Sequence, residues 1–165
     1  MFLTWRLFGS LPATYKSKRQ MIQDQGRAFA EFDRLLDRAA TGPKWLAYPA
    51  VADCVLKTIR AGAESGMYEL YSFVVMANHV HLLVKPLAPL AKITNWIKGV
   101  SAREANLILR RTGHHFWQQE SYDHWVRSAQ EFQKIRAYIE RNPVRAALVS
   151  HPRLWKYSSA FGGTA

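Results

Sequence analysis

The spacing of apolar positions changes several times along the chain, and each change marks an element. Phe2 to Gly9 (FLTWRLFG) has strand composition and runs into Gly-Ser-Leu-Pro, a turn. A basic polar loop follows from Tyr15 to about Gln23. Phe29, Phe32, Leu35, Leu36 and Ala39 then recur at helical spacing, and Gly42-Pro43 stops that helix. Pro49 opens a second helix with Val51, Val55 and Ile59 on its apolar side and Gly62 at its close. Residues 67–75 (MYELYSFVV) are aromatic or β-branched on both faces, which predicts a central strand. HVHLLVK (79–85) predicts the next strand, joined to it by the short Met-Ala-Asn of an antiparallel hairpin.

Pro86 and Pro89 break the chain before a long amphipathic helix, LAKITNWIKGVSAREANLILRR (90–111). Its predicted inner stripe is Ile93, Trp96, Ile97, Val100, Leu107 and Ile108. FWQQESYDHWVR (116–127) predicts a strand preceded by a turn. SAQEFQKIRAYIERN (128–142) predicts a helix that starts on a capping box, Ser128 with Glu131, and is stopped by Pro143. The order β, α, α, β, β, α, β, α, with a hairpin at its centre, predicts an α+β fold. An antiparallel sheet with helices packed on it, of the ferredoxin-like kind, satisfies it. At 165 residues, with no linker-like stretch, one domain over 1–165 is expected.

Composition adds a partner class. Lys and Arg number 23 against 12 acids, a net charge of +11, and such an excess attracts polyanions, nucleic acid first among them. No apolar run approaches the roughly 20 residues of a spanning helix, so no membrane role is expected. The start, MFLTWRLFGSLPA, resembles a short signal peptide, but Arg6 interrupts its apolar part. Cys54 is the only cysteine, which excludes a disulfide within the chain and a cysteine-based zinc site and fits a reducing cytoplasm.

The candidate chemistry lies in MANHVHLLV (76–84). Alternation along a strand puts His79 and His81 on one face and Val80 on the other. Two imidazoles on one face make a natural metal pair; a hydrogen-bonded core pair is the other reading. A histidine-triad hydrolase would need a third histidine at 83, where the chain has Leu83. His114 and His115 are adjacent and read as solvated loop residues. Tyr138 and Asn142 are four apart, on one helical face. Asn142 can offer an amide oxygen to a hard cation, and a phenol beside a metal-bound phosphate is a plausible nucleophile. Simple packing and an end-of-helix role are the alternatives for these two.

MANHVHLLV followed much later by YIERNPVRAALV resembles the single-tyrosine HUH transposases, the IS200-like superfamily, and within it the REP-associated tyrosine transposases. HUH stands for His, bulky hydrophobic, His, here His79, Val80 and His81. TWRLFGSLP, NWIKGVSAREAN, FWQQESYDHWVR and NPVRAALV extend the resemblance over nearly the whole chain. The resemblance implies a ferredoxin-like HUH endonuclease domain that cuts and rejoins single-stranded or hairpin DNA such as REP-like palindromes. It implies a divalent metal, Mg²⁺ or Mn²⁺, on His79 and His81, and Tyr138 as the nucleophile. It also implies Asn142 as a further ligand, where many relatives carry a glutamine. Where relatives have Met-Pro-Asn-His, this chain has Ala77. A monomer or homodimer in the cytoplasm, associated with the nucleoid, is the matching expectation. Since the first strand starts at residue 2, residues upstream of Met1 are also expected.

Several residues keep two readings. Lys92, Lys98, Arg103, Arg110 and Arg111 are either a solvated helix face or phosphate contacts. Tyr122, beside Asp123, is either an aromatic packing or base-stacking residue or a rival nucleophile. Trp117 and Trp125 are core or DNA platforms. A domesticated nucleic-acid-binding protein without nuclease activity is the second functional reading. The chain has no P-loop, and none is needed if the bond energy is kept in a 5′-phosphotyrosine.

Overall fold

The computed structural model describes residues 1–11, 25–38 and 42–162. The basic stretch 15–23 and Ala39 lie outside the described residues. The strands are β1 (Phe2–Arg6), β2 (Tyr68–Val75), β3 (His79–Pro86) and β4 (Tyr122–His124). The α-helices are α1 (Gln25–Arg38), α2 (Pro49–Glu64), α3 (Leu90–Ile108) and α4 (Ala129–Arg145). The strands form one sheet in the order β2-β3-β1-β4, with every pairing antiparallel. That is the ferredoxin-like α+β arrangement expected from the element order.

Strand alternation divides the core in two. On one face, Leu3, Trp5, Phe73, Val75, Val80, Leu82 and Val84 are buried with Val51, Val55 and Ile59 of α2 and Ile93 and Ile97 of α3. On the other, Phe2, Val74, Met76 and Leu83 pack with Ile139 of α4, and Phe29, Phe132, Ile135 and Tyr138 border them. His79 and His81 alternate with Val80, so they belong to the second face.

Five sequence expectations change here. β2 is an edge strand, not a central one. The second half of its edge is covered by the C-terminal segment, through a Val74–Ser158 bridge and a hydrogen bond from Val75 N to Tyr157 O of 2.8 Å, so residues 72–75 are buried like an interior strand. The strand expected over 116–127 shrinks to β4. Trp117 still bridges Leu7, but Lys98 Nζ takes the carbonyl of Gln119 at 2.7 Å and interrupts the ladder. The inner face of α3 is Ile93, Ile97, Ser101, Ala105 and Asn106, leaving Val100, Leu107 and Ile108 exposed. Ser101 turns inward because the buried Trp117 indole donates to its hydroxyl at 2.9 Å.

α4 runs through Pro143 to Arg145. Pro143 falls in the last turn and is buried, so its packing offsets the missing amide bond. α2 likewise passes Gly62 and ends at Glu64. Gly62 serves a close approach: a Cβ there would lie 2.5 Å from the Tyr68 hydroxyl.

Candidate active site

β3 supplies the centre. Its register sets His81 opposite Thr4 of β1 and Val74 of β2, and His79 opposite Arg6. Both imidazoles are fully buried. The second nitrogen of each ring is held from the sheet. Thr4 Oγ1 is 2.7 Å from His81 Nδ1, and Asn78 Oδ1 is 2.7 Å from His79 Nδ1. The Asn78 amide nitrogen donates to Leu36 O of α1 at 3.1 Å, which leaves its oxygen as the acceptor. His79 therefore carries its hydrogen on Nδ1, and its Nε2 lone pair points into the site.

α4 approaches the same face. Ser128 caps it by accepting from Glu131 N at 3.1 Å, and Glu131 returns a carboxylate to Arg127 N at 2.7 Å. Ile139 is buried on the sheet, and one turn of the same side presents Tyr138 and Asn142. Tyr138 is half-buried and Asn142 is fully buried.

The structure brings His79, His81, Tyr138 and Asn142 around one carboxylate, Asp33 of α1. Asp33 Oδ1 lies 2.9 Å from His81 Nε2 and 3.7 Å from His79 Nε2. Asp33 Oδ2 accepts hydrogen bonds from the Tyr138 hydroxyl and, at 3.3 Å, from the Asn142 amide. Asp37, one turn on, comes within 3.8 Å of His79 Nε2. Arg145 faces both acids, at 3.7 Å from Asp33 and 3.5 Å from Asp37, and lies 4.6 Å over the Tyr138 ring.

The charges are strongly perturbed. Burial pushes the His79 imidazole down to about 3, with His81 and Arg145 adding to the effect against Asp33, so the ring is neutral at physiological pH. Burial alone would raise the Asp33 carboxyl; the His81 and His79 rings and Arg145 outweigh it and hold it below the usual carboxylate range. Burial, and then the Asp33 charge, push Asp37 up to about 7 against Arg145 and His81.

His79 Nε2, His81 Nε2, Asp33 Oδ1, Asp37 Oδ1 and Asn142 Oδ1 are all buried without an aligned hydrogen-bond partner. Each such orphan costs about 1–3 kcal/mol. All five can act as acceptors, and a cation is what satisfies acceptors without a hydrogen. Among the described residues, Asp33, His79 and His81 form a group whose ligand atoms lie within 4.8 Å of one another. Adjacent ligands of an octahedral ion at about 2.1 Å sit roughly 3 Å apart, and opposite ones about 4 Å, so small shifts would close this group on a divalent cation.

Asp33, Asp37, Arg145, Thr4 and Asn78 carry no role in the sequence reading. One signal was available: Asp33 is four residues from Phe29 and sits within the apolar stripe of α1. Arg145 continues the Tyr138–Asn142 side of α4.

The remaining candidates lie elsewhere. Tyr122 is half-buried and stacks on Phe29 at 4.4 Å, with Phe2 edge-on to both, so it forms an aromatic wall of the site. Lys92, Arg103 and Arg110 are exposed on or just beyond α3. Lys98 is half-buried and holds Gln119 O and Ser121 Oγ, and Arg111 stacks 4.4 Å over Trp45. Trp117 is core, whereas Trp125 is 61% exposed. His114 and His115 are exposed.

A search of curated protein sequences finds no match. One solved structure similar to this chain is that of a REP-associated tyrosine transposase bound to a REP hairpin. The likeness has a TM-score of 0.58 at 16% identity and covers 96% of this chain and 74% of the other, a similarity of fold. The family profile described as "Transposase IS200 like" matches residues 44–142, a span that holds His79, His81, Tyr138 and Asn142 and excludes α1. By that match over more than half of its length, the chain belongs to the IS200-like transposase family.

Proposed function

We propose that the protein is a metal-dependent single-strand DNA endonuclease and transposase of the REP-associated branch, acting through a 5′-phosphotyrosine. The observation that carries this reading is the convergence of the Tyr138 hydroxyl and the His79 and His81 imidazoles on a single carboxylate. A nucleophile and a metal pair on one oxyanion have the arrangement that a scissile phosphate needs. Family membership supports the reaction class. The REP hairpin of the structural neighbour supports hairpin DNA as the substrate class.

His79 and His81, with Asn142, hold Mg²⁺ or Mn²⁺ in this proposal; the orphaned acceptors fit either ion. When bound, the ion withdraws charge from the phosphate oxygens. Tyr138 first leaves Asp33. Its oxygen then attacks phosphorus as the bond to the 3′ oxygen breaks, and the proton the phenol gives up is balanced by the one the departing 3′ oxygen takes on. A 5′-phosphotyrosine and a free 3′-hydroxyl result. A hydroxyl reverses the step and rejoins DNA, so no nucleotide is consumed. Arg145, over the Tyr138 ring, adds positive charge beside the developing phosphorane. Exposed Lys92, Arg103 and Arg110 supply phosphate contacts, and Tyr122 and Trp125 offer ring faces to bases. The chain works as one domain, as a monomer or homodimer, in the cytoplasm near the nucleoid. No described helix is long and apolar enough to cross a membrane.

One observation favours a second reading. His79, His81 and Asn142 are fully buried, as a retired centre in a domesticated DNA-binding protein would be. Incubation with Mn²⁺ and labelled single-stranded hairpin DNA separates the two. The transposase forms a denaturation-resistant adduct, and His79→Ala and His81→Ala each lose it while retaining much of the DNA binding. Binding without any adduct, across a panel of hairpins, favours the domesticated protein.

A further inference from the structure

We propose that Asp33 is a further protein ligand of the divalent cation, beside His79, His81 and Asn142, so that the metal fastens α1 across the histidine face of the sheet. The inference rests on His79 and His81 being metal ligands, as above. It adds a residue that lies outside the segment matched by the family profile, which begins at residue 44.

Three observations carry it. The first is position: Asp33 Oδ1 is the carboxylate oxygen facing both imidazole Nε2 atoms, at 2.9 and 3.7 Å, and the three atoms fall within 4.8 Å of one another. The second is the tautomer. Asn78 Oδ1 holds the hydrogen on His79 Nδ1, so the bare His79 Nε2 faces the Asp33 oxygen with no ring hydrogen between them. Lone pairs aimed at carboxylates inside a dry core repel, and a shared cation turns the contact attractive. The third is coupling. The Asn78 side chain touches both His79 and the backbone of Leu36, so the residue that orients the metal-facing ring also docks α1. A carboxylate oxygen beside two imidazoles suits a divalent ion that accepts both oxygen and nitrogen, such as Mn²⁺, and the set has no thiolate to select a soft metal.

Metal affinity and α1 docking are then linked equilibria: whatever the ion gains from Asp33 it returns as order in α1. Mn²⁺ binding to the full chain, without DNA, tests this by calorimetry and by the spin-resonance signal of free ion. Asp33→Asn keeps the shape and removes the charge. It should weaken Mn²⁺ binding at least about tenfold, the range seen when even supporting partners of a metal site are lost. Asp53→Asn is the control for charge alone, because Asp53 is exposed and pairs with Lys156 at 3.1 Å; its affinity should equal that of the parent. On the unaltered protein, saturating Mn²⁺ should slow amide exchange across residues 25–38, a readout that stands even if Asp33→Asn fails to fold. Unchanged affinity in Asp33→Asn, or unchanged exchange of α1, overturns the proposal. Faster DNA cleavage by Asp33→Asn at equal Mn²⁺ affinity would make Asp33 a plug in the phosphate site instead. If His79→Ala weakens Mn²⁺ binding and Asp33→Asn does not, only this inference falls. If the parent binds no Mn²⁺, the metal reading falls with it.

Discussion

Tyr138 and Tyr122 lie on the same face of the sheet and differ in what surrounds their hydroxyl and ring. Tyr138 points its hydroxyl at Asp33, between Asn142 and the two imidazoles, whereas Tyr122 spends its ring face on Phe29. Tyr138→Phe removes one oxygen and leaves the ring contacts with Phe2, Phe29 and Arg145 in place. The folded protein should therefore lose only about 1–3 kcal/mol, the cost of taking one donor from the buried Asp33 carboxylate, while the covalent DNA adduct disappears at any metal concentration. Tyr122→Phe should still form the adduct, with altered DNA affinity at most. Mapping the DNA-linked peptide by mass spectrometry checks both; an adduct on Tyr122, or one that survives Tyr138→Phe, would reassign the nucleophile.

At the scale of elements, α2 is seated by the contact between Gly62 and Tyr68. The Tyr68 hydroxyl donates to Ile59 O at 2.6 Å, and the ring fills the space where a Cβ on residue 62 would stand. Helix propensity favours alanine over glycine by roughly 0.8–1 kcal/mol, so Gly62→Ala would stabilise an isolated helix. Here overpacking opposes it, at about 1–3 kcal/mol, and Tyr68 is too enclosed to yield cheaply. Net destabilisation of up to about 2 kcal/mol is expected in urea unfolding; an increase in stability would show that the ring moves aside. α4 illustrates the opposite balance. A proline in its last turn is tolerated because the residues around it, Ile139 and Asn142, are buried and hold the helix from one side.

For the whole molecule, the net charge of +11 sits on a fold with the site on one face of the sheet and most of the apolar core on the other. Single-stranded DNA binding should fall with salt, the log–log slope reporting about 0.7 per phosphate contacted. Exposed Lys92, Arg103 and Arg110 are the first cations to test, since Lys98 and Arg111 have structural partners of their own. Replacing the three with Gln should reduce the slope by up to about 2 without preventing adduct formation at low salt. An unchanged slope would place the DNA on another surface.

Much of the fold was legible in the sequence because it is written in local periods. Period two in MANHVHLLV put His79 and His81 on one face, and the four-residue interval put Tyr138 and Asn142 on one side of α4. The antiparallel order of strands followed from the hairpin and the interleaved helices. Tertiary structure alone decided which distant groups meet. β2 reads as central because its buried edge is covered by residues 157–159, which no pattern within 67–75 records. Ser101 faces inward because Trp117 needs an acceptor, and a hydrophobicity pattern counts a serine as outside. Asp33 reaches Tyr138 across 105 residues of sequence and Asn78 reaches Leu36 across 42, contacts with no periodicity to announce them. Spacing along the chain determines which side chains share a face; which carboxylate lies opposite that face depends on how the helices pack, and packing is settled by the whole core at once.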